Sequence, residues 1–306
     1  MNETVLRSGA LASMNRASTI ITVLSVALFV LGGLAFTMLH PAEIARIGGF
    51  DETAHFGAGP GTVSGYFLGD TAPTIGFNLA LKMFNPGPPA LWALLVMVWI
   101  ALSAYGLKLV YQRWHYERTM KGRQARRLPR GAAGPPLPSQ FMMAQRDDHT
   151  PTELAPLTAA LIAGAAWPWV TVNHPVSGLV LAVVMLIAAL GAVIRGQRDG
   201  RRIRQSLAVG LFAGWATVAG YTALAGFTTA HLGIGGDLAG LTALLLCAGT
   251  GATVQWMIRG TGSYSVGMIW ALIGIAAATM TTAPTIAIGA ILGITAMTAV
   301  LVRAVS

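Results

Sequence analysis

The chain has 306 residues, 54% of them hydrophobic and only 10% charged, with 37 glycines and a net charge of +9. Soluble domains carry about 25% charged residues, so this composition excludes an ordinary globular protein and points to a membrane. A lone cysteine, Cys247, excludes an intramolecular disulfide and a thiolate metal cluster within the chain.

The first apolar stretch, residues 19–39, follows Arg7 and Arg16. That basic start and the small residues of Gly33-Leu34-Ala35 suit a signal peptide, but the run from Ile20 to Leu39 exceeds the ~7–15 residues of a signal core. A retained first helix is expected. Seven more apolar stretches follow, at 88–107, 154–173, 176–194, 206–230, 238–258, 264–282 and 284–302, and none contains Asp, Glu, Lys or Arg. Each approaches the ~20 residues that a helix needs to cross a ~30 Å hydrocarbon core. The expectation is an all-α, polytopic helix bundle of about eight transmembrane helices.

The charges order the loops. All but two of the 20 Lys and Arg residues fall in segments that alternate onto one side, the exceptions being Arg46 and Lys82. The opposite side holds Glu43, Asp51, Glu52, Asp70 and Asp237. The positive-inside rule then places both termini in the cytoplasm. Charges gathered against an anionic leaflet account for the basic balance, and no nucleic-acid partner is needed.

Two loops are long. Residues 41–87, expected outside, carry Gly48-Gly49, Phe56-Gly57-Ala58-Gly59-Pro60-Gly61 and Asn85-Pro86-Gly87, a density of Gly and Pro that signals turns. No Gly-Lys-Ser/Thr follows, so this is not a phosphate cradle. The inner segment 108–152 is basic and then Pro-rich, through Gly134-Pro135-Pro136-Leu137-Pro138. It suits a lipid-hugging connector with room for a docking partner.

The tryptophans divide by depth. Trp114 and Trp256 fall near the inner boundary, and Trp92, Trp167 and Trp169 near the outer one, where an aromatic belt accounts for them. Trp99, Trp215 and Trp270 lie deeper, ~9–13 Å into their spans at the helical rise. An indole N–H at that depth requires a partner, so these rings should face other helices or a ligand rather than lipid.

Their local sequences carry a resemblance. Pro88-Pro89-Ala90-Leu91-Trp92 with Val98-Trp99-Ile100-Ala101-Leu102, then Ala166-Trp167-Pro168-Trp169, then Gly210-Leu211-Phe212-Ala213-Gly214-Trp215-Ala216-Thr217-Val218-Ala219, are similar to successive helices of the TspO/MBR family, the tryptophan-rich sensory proteins. Tyr264-Ser265-Val266-Gly267-Met268-Ile269-Trp270 resembles a helix of longer members. The resemblance covers residues 85–303. It implies an N-terminal helix with a long outer Gly/Pro-rich loop (1–87), a TspO-like core (88–230) and additional C-terminal helices (231–306). It also implies a Trp-lined cavity for tetrapyrroles or similar small hydrophobic ligands, with Trp92, Trp99, Ser103, Trp167, Trp215 and Trp270 as ligand-binding residues. Trp92 and Trp99 share a helix face by their spacing of seven, and Ser103 lies a turn further. The chain departs from the family where Ser103 replaces a Tyr, where no Asn precedes Trp167, and where Gly220 and Tyr221 replace an Asn.

Other motifs carry less chemistry. His40, His55, His174 and His231 fall at the outer side, where they could ligate a haem or chlorophyll metal, but without shared helical spacing they suit solvated positions; His115 and His149, in the basic inner loop, suggest nothing further. A single Glu52-Thr53-Ala54-His55 lacks the second copy that a helical di-metal site uses. No catalytic set and no intramembrane carboxylate occurs, so neither an enzyme nor a proton-coupled transporter is expected. Gly210-x-x-x-Gly214 and Gly289-x-x-x-Gly293 permit close helix contact, with internal packing the expected use. Two functions follow: a TspO-like protein that binds, senses or transports small hydrophobic ligands, or an accessory subunit of a larger membrane energy-converting complex. The Ala-, Gly- and Arg-rich composition suggests a bacterial inner membrane.

Overall fold

In a computed structural model, residues 3–39, 89–125, 151–198, 207–258 and 262–305 are described. They form eight helices: α1 (Glu3–Leu39), α2 (Pro89–Ala125), α3 (Pro151–Asn173), α4 (Pro175–Arg198), α5 (Leu207–Leu232), α6 (Gly236–Met257), α7 (Ser263–Thr279) and α8 (Pro284–Val305). No strand occurs among the described residues. The Gly-rich outer loop, Glu52, His40, His55 and His149 lie outside them.

The boundaries follow local chemistry. Pro89, Pro151, Pro175 and Pro284 each open a helix, where a missing N–H costs nothing and the fixed φ is already helical. The α5–α6 turn needs only Gly233, Ile234 and Gly235, and Gly233 adopts φ 65°. That left-handed conformation after a helix end is one a glycine enters without steric cost. Inside a hydrocarbon core, helices satisfy their own backbone groups, which is why apolar stretches of this length fold this way.

Among the described residues, seven helices are long and apolar enough to cross a membrane; α7, at 17 residues, is the shorter eighth. At ~1.5 Å per residue it spans about 26 Å, just under the hydrocarbon thickness. The segment expected over 264–282 ends its helix at Thr279 and finishes in a turn. By contrast α1 and α2, 37 residues each, run well beyond a single crossing.

Contacts close the helices into a ring in the order α1, α3, α4, α5, α6, α8, α7, α2 and back to α1. Helix α5 also reaches across it to α7 and α2, and α7 likewise meets α2, α5, α6 and α8. An unbroken run from Gly210 to Gly220 is buried. A helix apolar all round belongs in such a position. Peripheral helices show the converse. Ile20, Leu24, Leu28 and Leu31 repeat at helical spacing on α1 and stand 49–64% exposed with Ile21, a stripe facing lipid.

Glycines set how closely α5 and α7 approach. A Cβ on Gly267 would stand 2.7 Å from the Leu211 carbonyl oxygen, and one on Gly214 would stand 2.7 Å from the Met268 nitrogen while striking the Tyr264 carbonyl. Gly289 and Gly293 of α8 face Leu241 and Leu272 inside the bundle. Both small-residue motifs therefore serve internal packing, as their surroundings suggested.

Candidate functional site

Phe212 and Trp215 sit three residues apart on one face of α5, turned away from α7. Phe29 of α1 meets Phe212 edge-on at 5.3 Å and 80°, and meets Trp215 at 5.8 Å and 72°. Phe212 and Trp215 stack at 6.0 Å and 28°, and Trp167 of α3 closes onto Trp215 at 6.5 Å and 69°. Offset and edge-to-face contacts are the arrangements that aromatic quadrupoles favour. Gly164 makes room for this, because a Cβ there would lie 3.0 Å from both the Phe29 ring and the Met185 sulfur. All four rings are at most 2% exposed.

Trp167 also forms a wall of a cleft at the expected outer ends of α3, α4 and α5. Thr171, Pro175, Leu179, Ala223 and Phe227 complete its lining together with Gly226. Its enclosed space is about 10 Å³, and the rest of it lies open to the outside. The Thr171 hydroxyl donates back to the Trp167 carbonyl at 2.7 Å, so the walls present mainly apolar surface. Behind Phe227, His231 stacks on the ring at 4.5 Å and 16°. His231 and His174 are both exposed, as solvated positions require. Drug-sized ligands occupy pockets of about 300–1,000 Å³. A tetrapyrrole would therefore need the cleft to widen between α3–α4 and α5.

The six residues expected to bind ligand occupy separate places. Trp167 and Trp215 touch, within the aromatic cluster. The Trp270 indole donates to the Ala90 carbonyl at 3.0 Å, tying α7 to the first turn of α2, where Trp92 is half-buried against the core. Trp99 is buried between α1 and α2, its ring 2.8 Å from where a Cβ on Gly33 would stand. The Trp99 indole N–H finds no acceptor among the described residues. Ser103, further along α2, is half-buried. A belt position suits Trp114, Trp169 and Trp256, which are 36–63% exposed, but not Trp167, which is buried under α5. Phe212 was legible as the neighbour of Trp215; Phe29, Thr171 and Phe227 had no local signal.

A second interior zone is polar and uncharged. The Tyr264 and Thr217 hydroxyls lie 3.2 Å apart between α7 and α5, and those of Tyr221 and Thr250 pair at 2.5 Å between α5 and α6. The Ser265 hydroxyl donates to the Gln255 side-chain carbonyl at 2.7 Å. Cys247 is buried nearby on α6. Among the described residues no group of three or more His, Cys, Asp or Glu gathers as metal ligands. These pairs supply uncharged hydrogen bonds between the packed helices.

No curated protein and no solved structure matches the chain. The family model described as TSPO-like protein matches residues 138–303, which takes in α3 to α8 and leaves α1, α2 and the Trp92–Trp99 segment outside it. With that match spanning more than half of the 306 residues, and a bundle of apolar helices to carry it, the chain belongs to the TSPO-like family and is a multi-pass membrane protein of TspO type.

Proposed function

We propose that the protein binds small hydrophobic ligands, tetrapyrroles among them, from a bacterial inner membrane, for sensing or transport rather than catalysis. The observation that carries this is the position of Trp167. It closes an apolar cleft on one side and anchors the buried Trp215–Phe212–Phe29 series on the other. A ligand entering between α3–α4 and α5 meets an aromatic wall at once, and displacing Trp167 would extend the site toward Trp215.

The test uses purified protein titrated with protoporphyrin IX and with haem, followed by the porphyrin's own absorbance. Saturable binding should weaken at least tenfold in Ala223→Leu, which fills the cleft, and in Trp167→Phe, which thins its wall. Affinity unchanged in both variants, or binding that never saturates, would sink the cleft. The second reading, an accessory subunit of an energy-converting membrane complex, is favoured by the tight interior: the enclosed part of the cleft has room for about one water molecule. Its signature is stable co-purification with such a complex and no ligand saturation.

A further inference from the structure

The inner end of α2 carries a face that the ligand-binding reading does not use. Its apolar window ends at His115, while the helix continues to Ala125. Gly106 and Leu109 turn inward, Gly106 against Val26 of α1. On the other side Leu107 is 70% exposed, Tyr111 60% and Trp114 48%, with Lys108, His115 and Arg118 exposed beside them. The order along this face is aliphatic, then aromatic, then cationic. A bilayer presents the same order from hydrocarbon to glycerol level to phosphate, and Trp and Tyr favour the middle layer.

The cation is held in place. The Arg118 guanidinium carbon sits 3.5 Å from the centre of the Trp114 ring, over its face. Tyr111 packs beside that indole at 6.5 Å and touches His115 at 5.5 Å. A guanidinium seated on an aromatic face has its position set in advance, and its N–H edges stay free for two-pronged contact with a phosphate. The Lys108 stem can run along the apolar surface and deliver its ammonium to the same headgroup layer.

We propose that Arg118, backed by Trp114 and Tyr111, binds the headgroup phosphate of an anionic phospholipid in the leaflet that the positive-inside rule assigns to the cytoplasm. The lipid is its occupant rather than free phosphate because the exposed aliphatic and aromatic residues above the cation match an acyl chain and glycerol backbone. Bound there, the lipid ties the long inner extension of α2 to the membrane surface. That sets the end of a helix that α1, α5 and α7 all contact.

The experiment is native mass spectrometry of the full chain in detergent, titrated with equal amounts of phosphatidylglycerol and phosphatidylcholine. The wild type should retain phosphatidylglycerol preferentially. Arg118→Gln should lower that preference about fivefold, which is what ~1 kcal/mol of headgroup attraction per basic residue amounts to. Trp114→Leu should lower it in the same direction, and Arg195→Gln, at the exposed inner end of α4, should leave it intact. Equal retention of the two lipids would overturn the site. So would an equal loss in Arg195→Gln, which would mean diffuse charge attraction, or displacement of the lipid by inorganic phosphate.

Discussion

Trp215 and Gly214 are neighbours in sequence, yet they face two regions built on opposite principles. On the Trp215 side, α5 meets α1 and α3 through large interleaved rings, and the helices stand apart by the thickness of aromatic side chains. On the Gly214 side, α5 meets α7 backbone to backbone, with polar pairs at its margins. Lipid tails are as apolar as the side chains, so the hydrophobic effect draws neither pair together; contact area, close approach and hydrogen bonds must do so. The ring-filled region can rearrange, because side chains have rotamers. The glycine seam cannot, because its contacts are between backbones. The cleft thus lies on the ring-filled side of α5, and the close backbone seam on the other.

The sharpest test of that contrast is Trp215→Ala. Removing a ring packed by Phe29, Phe212 and Trp167 should cost about 3–5 kcal/mol, read as a lower midpoint in reversible unfolding by a denaturing detergent. A loss below ~1 kcal/mol would mean that the rings around it relax freely and the cluster is not a packed unit. Gly214→Leu probes the other face. The new side chain has only Tyr264 and Met268 backbone to enter, so the helices must part, at a cost near the top of the ~1–3 kcal/mol range for overpacking. Folding unchanged by that substitution would dissolve the distinction between the two faces. The smallest effect belongs to Tyr264→Phe, which keeps the ring and deletes the bond to Thr217. Hydrogen bonds between membrane helices average ~0.6 kcal/mol, so a shift of that order is expected. A loss of several kcal/mol would make the polar pairs, rather than the glycines, the main tie between α5 and α7.

Much of this molecule was legible in its sequence. Eight apolar stretches became eight helices, with prolines at four of their starts, because length, hydropathy and capping act locally. The Gly210-x-x-x-Gly214 spacing announced a close contact, and composition announced the membrane. The family was read from tryptophan-bearing stretches on α2, α3, α5 and α7, and the family match over residues 138–303 takes in the last three and leaves out the first. The candidate site was less legible. Trp167 looked like a boundary residue from its distance to the helix end, yet α5 covers it. Trp99 and Trp270 share the depth of Trp215 but turn to α1 and to the start of α2.

By itself, then, the sequence determined solvent, the apolar helices among the described residues, charge asymmetry and family, each a property of residues near one another along the chain. Which rings meet was decided only in the tertiary structure. Phe29 lies 183 residues before Phe212, and nothing local in either stretch records that packing places them 5.3 Å apart. The same packing brought Trp167 onto Trp215 and left Trp99 apart. Ring contacts across α1, α3 and α5 depend on helix rotation and crossing, which are set by the whole bundle rather than by any one span.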